Sequence, residues 1–250
     1  MIQVTDLYKS FEDQDVLKGI DLTIEEGDIM ALLGASGSGK SVMLRNLVGL
    51  MEPDSGSVSI DGESIHQASG RELSAVRRKI GMLFQSGALF DSMTAYENLA
   101  FPLRETTDLS EPEIRDNVSQ HLSMVNMEGS DDKYPAELSG GMVKRIALAR
   151  TLILNPEYIF FDEPTTGLDP LIANNILRLI KRLHNELSFT AIIVTHNFQK
   201  VFPIVQKVAM LYEGEIIAHE PPETFMESDV PAVAEFVREA LEGPLEGEKT

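Results

Sequence analysis

Ile29-Met-Ala-Leu-Leu-Gly34-Ala-Ser-Gly-Ser-Gly39-Lys40-Ser41-Val-Met-Leu-Arg-Asn-Leu47 is the stretch whose reading decides the architecture. An apolar run, Ile29–Leu33, enters a glycine-rich loop, and Ser41–Leu50 reads as a helix. Strand, glycine loop and helix together form the context that a phosphate-binding loop requires. Gly34–Ser41 fits the pattern G-x-x-x-x-G-K-[ST]. Its glycines let backbone N–H groups turn inward and approach phosphate oxygens without a Cβ in the way. The helix that follows presents its N-terminal partial charge to the same anion. Lys40 supplies a mobile positive charge for β- and γ-phosphates, and the Ser41 hydroxyl can ligate Mg²⁺.

Outward from this loop, the chain alternates between two textures. Before it, Ile2, Val4 and Leu7 and the apolar-rich Val16–Ile24 read as strands, with Glu25-Glu26-Gly27-Asp28 as a turn. After it come a short strand, Ser57–Ile60, and a charged helical stretch, Gly70–Lys79. From about Ser86 to Asn155 the pattern is mostly helical, punctuated by Pro102, Pro112 and Pro135. Strand and helix patterns then resume at Tyr158–Asp162, Leu171–Leu187, Ala191–Thr195 and Val208–Leu211. The expectation is an α/β core interrupted by a helical insertion. Val230–Leu241 has helical spacing and is followed by Gly243-Pro244 and a polar end.

Composition narrows the function classes. The net charge is −19, which argues against phosphate-backbone binding to nucleic acid and against unaided adsorption to an anionic bilayer. From Glu220 onward nine acids face Arg238 and Lys249, a net of −7 that reads as a solvated, acidic end. No apolar run approaches the roughly 20 residues needed to cross a membrane, and no basic and apolar leader opens the sequence. Zero cysteines exclude disulfides and thiolate metal sites. A cytoplasmic location is expected, with other subunits holding the chain wherever it works at a membrane.

Further segments carry chemistry. Tyr158-Ile-Phe-Phe-Asp162-Glu163 is an apolar strand ending in adjacent carboxylates, which is costly unless something neutralises them. A bound Mg²⁺ would do so through Asp162, leaving Glu163 to face an attacking water as base or positioner. Pro164-Thr-Thr-Gly167-Leu-Asp169 follows as a turn into a helix. Leu138-Ser139-Gly140-Gly141-Met142 opens another helix, with Ser139 as its N-cap, and a Ser-Gly-Gly turn there forms a second anion site in the same chain. Two anion sites for one nucleotide imply that they belong to different subunits. Taken singly, His196 after Ala191–Thr195 and Gln85 after Ile80–Phe84 read as ordinary surface or core residues, and Phe11 in Lys9-Ser-Phe-Glu-Asp13 reads as core rather than as an aromatic platform for a base.

In this order, these segments resemble the ATP-binding cassette (ABC) ATPases along essentially the whole chain. The resemblance implies a P-loop NTPase (RecA-like) α/β core with an N-terminal antiparallel β subdomain and an inserted α-helical subdomain. It implies an ATPase domain over residues 1–242, with the helical insertion at about 86–156, and an acidic tail at 243–250. It implies that ATP is bound by Phe11, Gly34, Ser36, Gly37, Ser38, Gly39, Lys40, Ser41, Val42 and Asp162. Ser139, Gly140 and Gly141 of the signature would complete that site from a second copy, in a head-to-tail homodimer. Ser41, Gln85 and Asp162 would hold Mg²⁺, and Glu163, His196 and Gln85 would serve catalysis, with Asp169 in the D-loop position. Tyr8, close to Phe11, is the alternative aromatic for stacking on adenine. One departure is Met142, where the family usually has glutamine; because the signature acts through Ser139 and backbone N–H groups, hydrolysis is expected to survive.

Within the family, Met82-Leu-Phe-Gln-Ser-Gly-Ala-Leu-Phe90, Asn98-Leu-Ala-Phe-Pro-Leu-Arg104-Glu-Thr, Ser139-Gly-Gly-Met142 and Gly243-Pro244 resemble the MlaF-like ATPases of MCE-associated (Mla-type) phospholipid transport systems. That branch implies a pair of MlaE-like permease subunits, an MCE-domain protein and a STAS-domain regulator as partners. It places the chain peripherally on the cytoplasmic face of the inner membrane. Leu89, Phe90, Met93 and Tyr96 are apolar residues that suit either a groove for a permease helix or ordinary packing.

Overall fold

Alternating buried and exposed residues shape the first hairpin, β1 (Ile2–Phe11) and β2 (Gln14–Ile24), which pair antiparallel with Ile2 opposite Ile24 and Phe11 opposite Gln14. The structure, a computed structural model, describes residues 1–12 and 14–242; the acidic tail 243–250, with Gly243-Pro244, lies outside the described residues. After the hairpin come β3 (Ile29–Leu33), α1 (Lys40–Leu47), β4 (Ser55–Ile60), β5 (Glu63–Ser64) and α2 (Arg71–Arg78). The middle of the chain holds β6 (Ile80–Leu83), α3 (Ala95–Thr106), α4 (Glu111–Met124), α5 (Gly140–Leu152), β7 (Tyr158–Asp162) and α6 (Pro170–Leu187). The remainder is β8 (Thr190–Val194), α7 (Phe198–Val201), β9 (Lys207–Tyr212), β10 (Glu215–Glu220), α8 (Pro222–Met226) and α9 (Pro231–Glu242).

These elements form two compact units: Met1–Leu73 with the stretch from Thr190 onward, and Ser74–Phe189. The first unit holds an antiparallel sheet in the order β2-β1-β4-β5 and a set of strands in the order β10-β9-β3-β8. In the latter, β3 runs parallel to both β8 and β9, while β10 returns antiparallel to β9. Every residue of β3 and of β8 is buried, as expected for parallel strands covered on both faces. Helix α9 is tied to α7 by the Phe198–Phe236 ring contact, 5.8 Å between centroids, and by Gln199 Nε2 donating to Ala240 O at 2.8 Å.

Helix α1 starts one residue earlier than the apolar pattern suggests and stops at Leu47 rather than Leu50. Gly49 takes a positive φ of 69°, and the N–H groups of Leu50 and Met51 turn back to Arg45 O, which ends the helix. The hairpin strand β10 was not anticipated from sequence, because Ile216 and Ile217 are adjacent and break the period of two. The structure places a register shift between Ile216 and Ala218.

In the second unit β6 and β7 pair parallel, with Leu83 opposite Phe161. Phe160 and Phe161 are fully buried, each removing enough apolar surface to contribute about 2 kcal/mol. Helices α3, α4 and α5 pack on one another, and α5 also lies against β6 and α6. Pro102 does not end α3, which continues to Thr106; Pro112 sits in the first turn of α4, where a missing N–H costs nothing.

Asn98 explains why the segment before α3 holds its shape. It is fully buried, accepts from Phe90 N at 2.8 Å, and donates Nδ2 to the carbonyls of Phe90, Met93 and Thr94 at 3.2, 3.1 and 3.0 Å. One side chain therefore adds to the backbone bonds of the turn over residues 90–94, where Met93 N donates to Phe90 O and Asn98 N to Thr94 O. Thr94 and Glu97 add a capping box at the start of α3. Asn98→Ala is expected to cost at least about 2 kcal/mol in denaturant unfolding, since buried backbone groups lose their partner. An unchanged midpoint would contradict this assignment.

Candidate functional site

In the first unit the site is built where β3 stops. A Cβ on Gly34 would lie 2.4 Å from Leu211 O and 2.6 Å from Ser38 Oγ, so β9 and the loop itself leave room only for glycine. Gly39, at φ 102°, is the N-cap of α1 and supplies no side-chain cap; a Cβ there would meet Val16 Cγ1 at 3.0 Å. The first turn of α1 also lacks acidic residues. That helix start carries no side-chain cap of its own, the arrangement that suits an external anion.

Two side chains sharpen this reading. Lys40 is buried, 8% exposed, and its Nζ donates to Gly34 O and Ala35 O at 2.8 Å each, folding back over the loop. Ser38 Oγ is buried without a hydrogen-bond partner. An orphaned hydroxyl, a cradle that any Cβ would fill and an uncapped helix start fit a bound phosphate chain. Ser36 and Gly37 form the exposed loop tip, while Ser41 and Val42 open α1 with Ser41 exposed.

Register brings His196 to the same edge. Leu32 of β3 pairs with Val194 of β8, so Gly34 and His196 each lie two residues beyond a matched pair. Thr195 N donates to Leu32 O at 3.2 Å, and Thr195 Oγ1 accepts from Asn197 N at 3.1 Å, fixing the backbone on both sides of His196. Phe11 closes β1 and is 44% exposed, with Lys9 Nζ 5.6 Å from its ring centroid. Lys9 is itself held by Asp54 at 2.7 Å. Tyr8, by contrast, lies over Gly19, where a Cβ would come within 2.7 Å of its hydroxyl.

The second unit gathers the carboxylates. Because Leu83 pairs with Phe161, Gln85 and Glu163 stand two residues beyond that pair, at one edge, with Asp162 ending β7. Glu163 adopts a left-handed backbone, φ 46°, an expensive conformation for a residue other than glycine or asparagine. Its Oε2 accepts from Thr166 Oγ1 at 2.9 Å, and Thr166 N donates to Glu163 O at 3.2 Å. The turn therefore re-aims the glutamate away from the strand direction. Asp169 caps α6, accepting from Leu171 N and Ile172 N at 3.0 and 3.1 Å.

Ser139 caps α5 through its contact with Met142 N at 3.4 Å. A Cβ on Gly141 would lie 2.6 Å from Ile172 Cγ2, so the Ser-Gly-Gly turn is seated directly on the start of α6. Lys144, in α5, escaped the sequence reading. Its Nζ donates to Gln85 O, and burial pushes its ammonium below the usual lysine range while Asp162 and Glu163 pull it back up. The signal was present: Lys144 shares a helical stripe with Leu148 and Leu152, which are both buried.

Comparison with known proteins places this geometry. The family model of the ABC transporter matches residues 17–166. Over 98% of its length the chain is 39% identical to the intermembrane phospholipid transport system ATP-binding protein MlaF of Haemophilus influenzae, spanning 93% of that protein. It is 43% identical over 98% of its length to the probable ribonucleotide transport ATP-binding protein mkl of Mycobacterium tuberculosis, spanning 68% of that protein. Among solved structures, cbiO1 from Clostridium perfringens, part of the ABC transporter complex cbiONQ, matches with a TM-score of 0.83 at 30% identity, over 95% of this chain and 98% of that one. The dimeric post-hydrolysis state of the ATP-binding cassette MJ0796 bound to ADP and phosphate matches at 0.80 and 33% identity, over 88% of this chain and 98% of that one. The chain belongs to the ABC transporter family, as an ATP-hydrolysing cassette with the P-loop NTPase fold.

Replacing Lys40 with alanine removes a charge-assisted contact from the loop. ATP affinity, measured by equilibrium binding, is expected to fall about ten-fold or more. Unchanged affinity would overturn the assignment of Gly34–Ser41.

Proposed function

We propose that this chain is the ATPase subunit that drives phospholipid transport through an integral-membrane permease, in a system that maintains outer-membrane lipid asymmetry. The observation that carries this reading is the alignment along nearly the full length of both chains with proteins named MlaF, at 39% and 36% identity. The segments Met82–Phe90, Asn98–Thr106 and Ser139–Met142 support it from the sequence side.

Residue roles follow from the chemistry of each unit. In the first, Lys40, Ser38 and the N–H groups from Gly34 to Val42, including Ser36, Gly37 and Gly39, take the phosphates, and Ser41 offers a hydroxyl oxygen to Mg²⁺. Phe11 is the platform for adenine, since Tyr8 is engaged with Gly19. In the second, Asp162 and Gln85 offer oxygens to Mg²⁺, a hard cation that prefers such ligands. That cation, when bound, neutralises charge on the β- and γ-phosphate oxygens. Glu163 positions or deprotonates water, and His196 with Gln85 responds to the γ-phosphate. Ser139, Gly140 and Gly141 contact the nucleotide of a second copy in a head-to-tail homodimer, which hydrolysis reopens. Residues 1–242 act as one ATPase domain, with the segment at about 86–156 as its helical insertion.

No helix among the described residues is long and apolar enough to cross a membrane. A peripheral position on the cytoplasmic face of the inner membrane, held by MlaE-like permease subunits with an MCE-domain protein and a STAS-domain regulator, completes the proposal. The partly exposed Phe90 and Phe101 rings, 5.4 Å apart edge to face, suit the permease contact.

The mkl relatives favour a second reading, in which the cargo is another solute such as a ribonucleotide. Purification of a tagged copy with its membrane subunits separates the two. Recovery of an MCE-domain protein and bound phospholipid is expected; a solute-binding protein with its solute, and no lipid, would refute the phospholipid assignment.

A further inference from the structure

Helix α5 grips the segment that follows β6 at several points. Lys144 Nζ donates to Gln85 O, and Arg150 donates to Ala88 O at 2.8 Å and Gly87 O at 3.0 Å. Between them, a Cβ on Gly87 would already press on Val143 Cγ1 and Ala147 Cβ at 3.3 Å. Arg150 and the close contact suffice to hold the backbone. Lys144 does something more, because it is only 5% exposed and brings a charge into a place where charge is costly. Burial holds its ammonium below the usual lysine range, opposed in part by Asp162 and Glu163, and the Gln85 carbonyl gives it a hydrogen-bond acceptor.

We propose that Lys144 is a positioning residue for hydrolysis, tying the Gln85 backbone to the helix that begins at Ser139. Movement of the Ser139–Gly141 turn, when it meets a nucleotide on a second copy, is thereby passed through one rigid helix to the groups that act on the γ-phosphate. The inference rests on the roles proposed above for Gln85, Asp162 and Glu163. It adds a residue that neither touches nucleotide nor belongs to a phosphate loop. A role confined to packing would be met by methionine, which matches lysine in length and suits a buried site.

The test compares the full chain with Lys144→Met and Lys144→Arg, using ATP turnover, ATP binding and thermal unfolding. Lys144→Met is expected to fold with an unchanged or higher melting temperature and to bind ATP within about two-fold of the parent. Its kcat is expected to fall about ten-fold or more, as for small misplacements of catalytic groups. Lys144→Arg, which keeps the charge and the donor, recovers most of that turnover. Parental kcat in a folded Lys144→Met would overturn the proposal. So would a loss of kcat that merely tracks a lowered melting temperature and is not recovered by arginine. Glu163→Gln, assayed in parallel, separates the two levels: if it retains turnover, the underlying roles fail, whereas its inactivity beside a fully active Lys144→Met counts against Lys144 alone.

Discussion

Helix α1 opens without a side-chain cap, at the end of a loop that only glycine can follow. Gly39 occupies the capping position, the first turn carries no acid, and Lys40 bends back onto Gly34 O and Ala35 O. A phosphate chain suits such an edge. The cost of keeping it open falls on the backbone: Gly34 is wedged against Leu211 O and Gly39 against Val16. Parallel pairing of β3 with β8 then sets where His196 must stand, so the loop and the histidine share one strand register.

The second unit solves a related problem with the opposite sign. Tyr158–Phe161 is fully buried and delivers Asp162 and Glu163 side by side at its end. Glu163 escapes the strand through a left-handed residue, secured by Thr166. In the same unit Lys144 is buried with its Nζ on the Gln85 carbonyl. Hydrolysis of a phosphoanhydride needs placement and charge neutralisation more than covalent chemistry, the kind of demand that strand ends and helix starts can meet.

Much of this was legible in the sequence. Ile29–Leu33 and Tyr158–Asp162 are strands with the bounds that their apolar runs give, because a strand buried on both faces needs no alternation to be recognised. The Gly-x-x-x-x-Gly-Lys-Ser spacing falls where β3 ends and α1 begins, as the strand–loop–helix reading expects. His196 and Gln85 stand out only through their order relative to the other segments, since neither residue type is distinctive alone, and their roles are part of the proposal. What stayed hidden depended on contacts distant in sequence. Asn98 reads as a polar residue in a helix until its partners at Phe90, Met93 and Thr94 are seen. Lys144 reads as a solvated lysine until its partner, the Gln85 carbonyl, is found 59 residues away. Strand β10 was obscured by Ile216 and Ile217 falling at a register shift.

The central claim is that this cassette is one side of a clamp closed by ATP, with Ser139–Gly141 reaching the phosphates of a second copy. Light-scattering mass of the Glu163→Gln chain, with Mg²⁺ and either ATP or ADP, tests it most directly. The account predicts twice the monomer mass with ATP, the monomer mass with ADP, and loss of the ATP-bound dimer when Gly141 is also changed to a bulky residue. A chain that binds ATP yet keeps the monomer mass would contradict it.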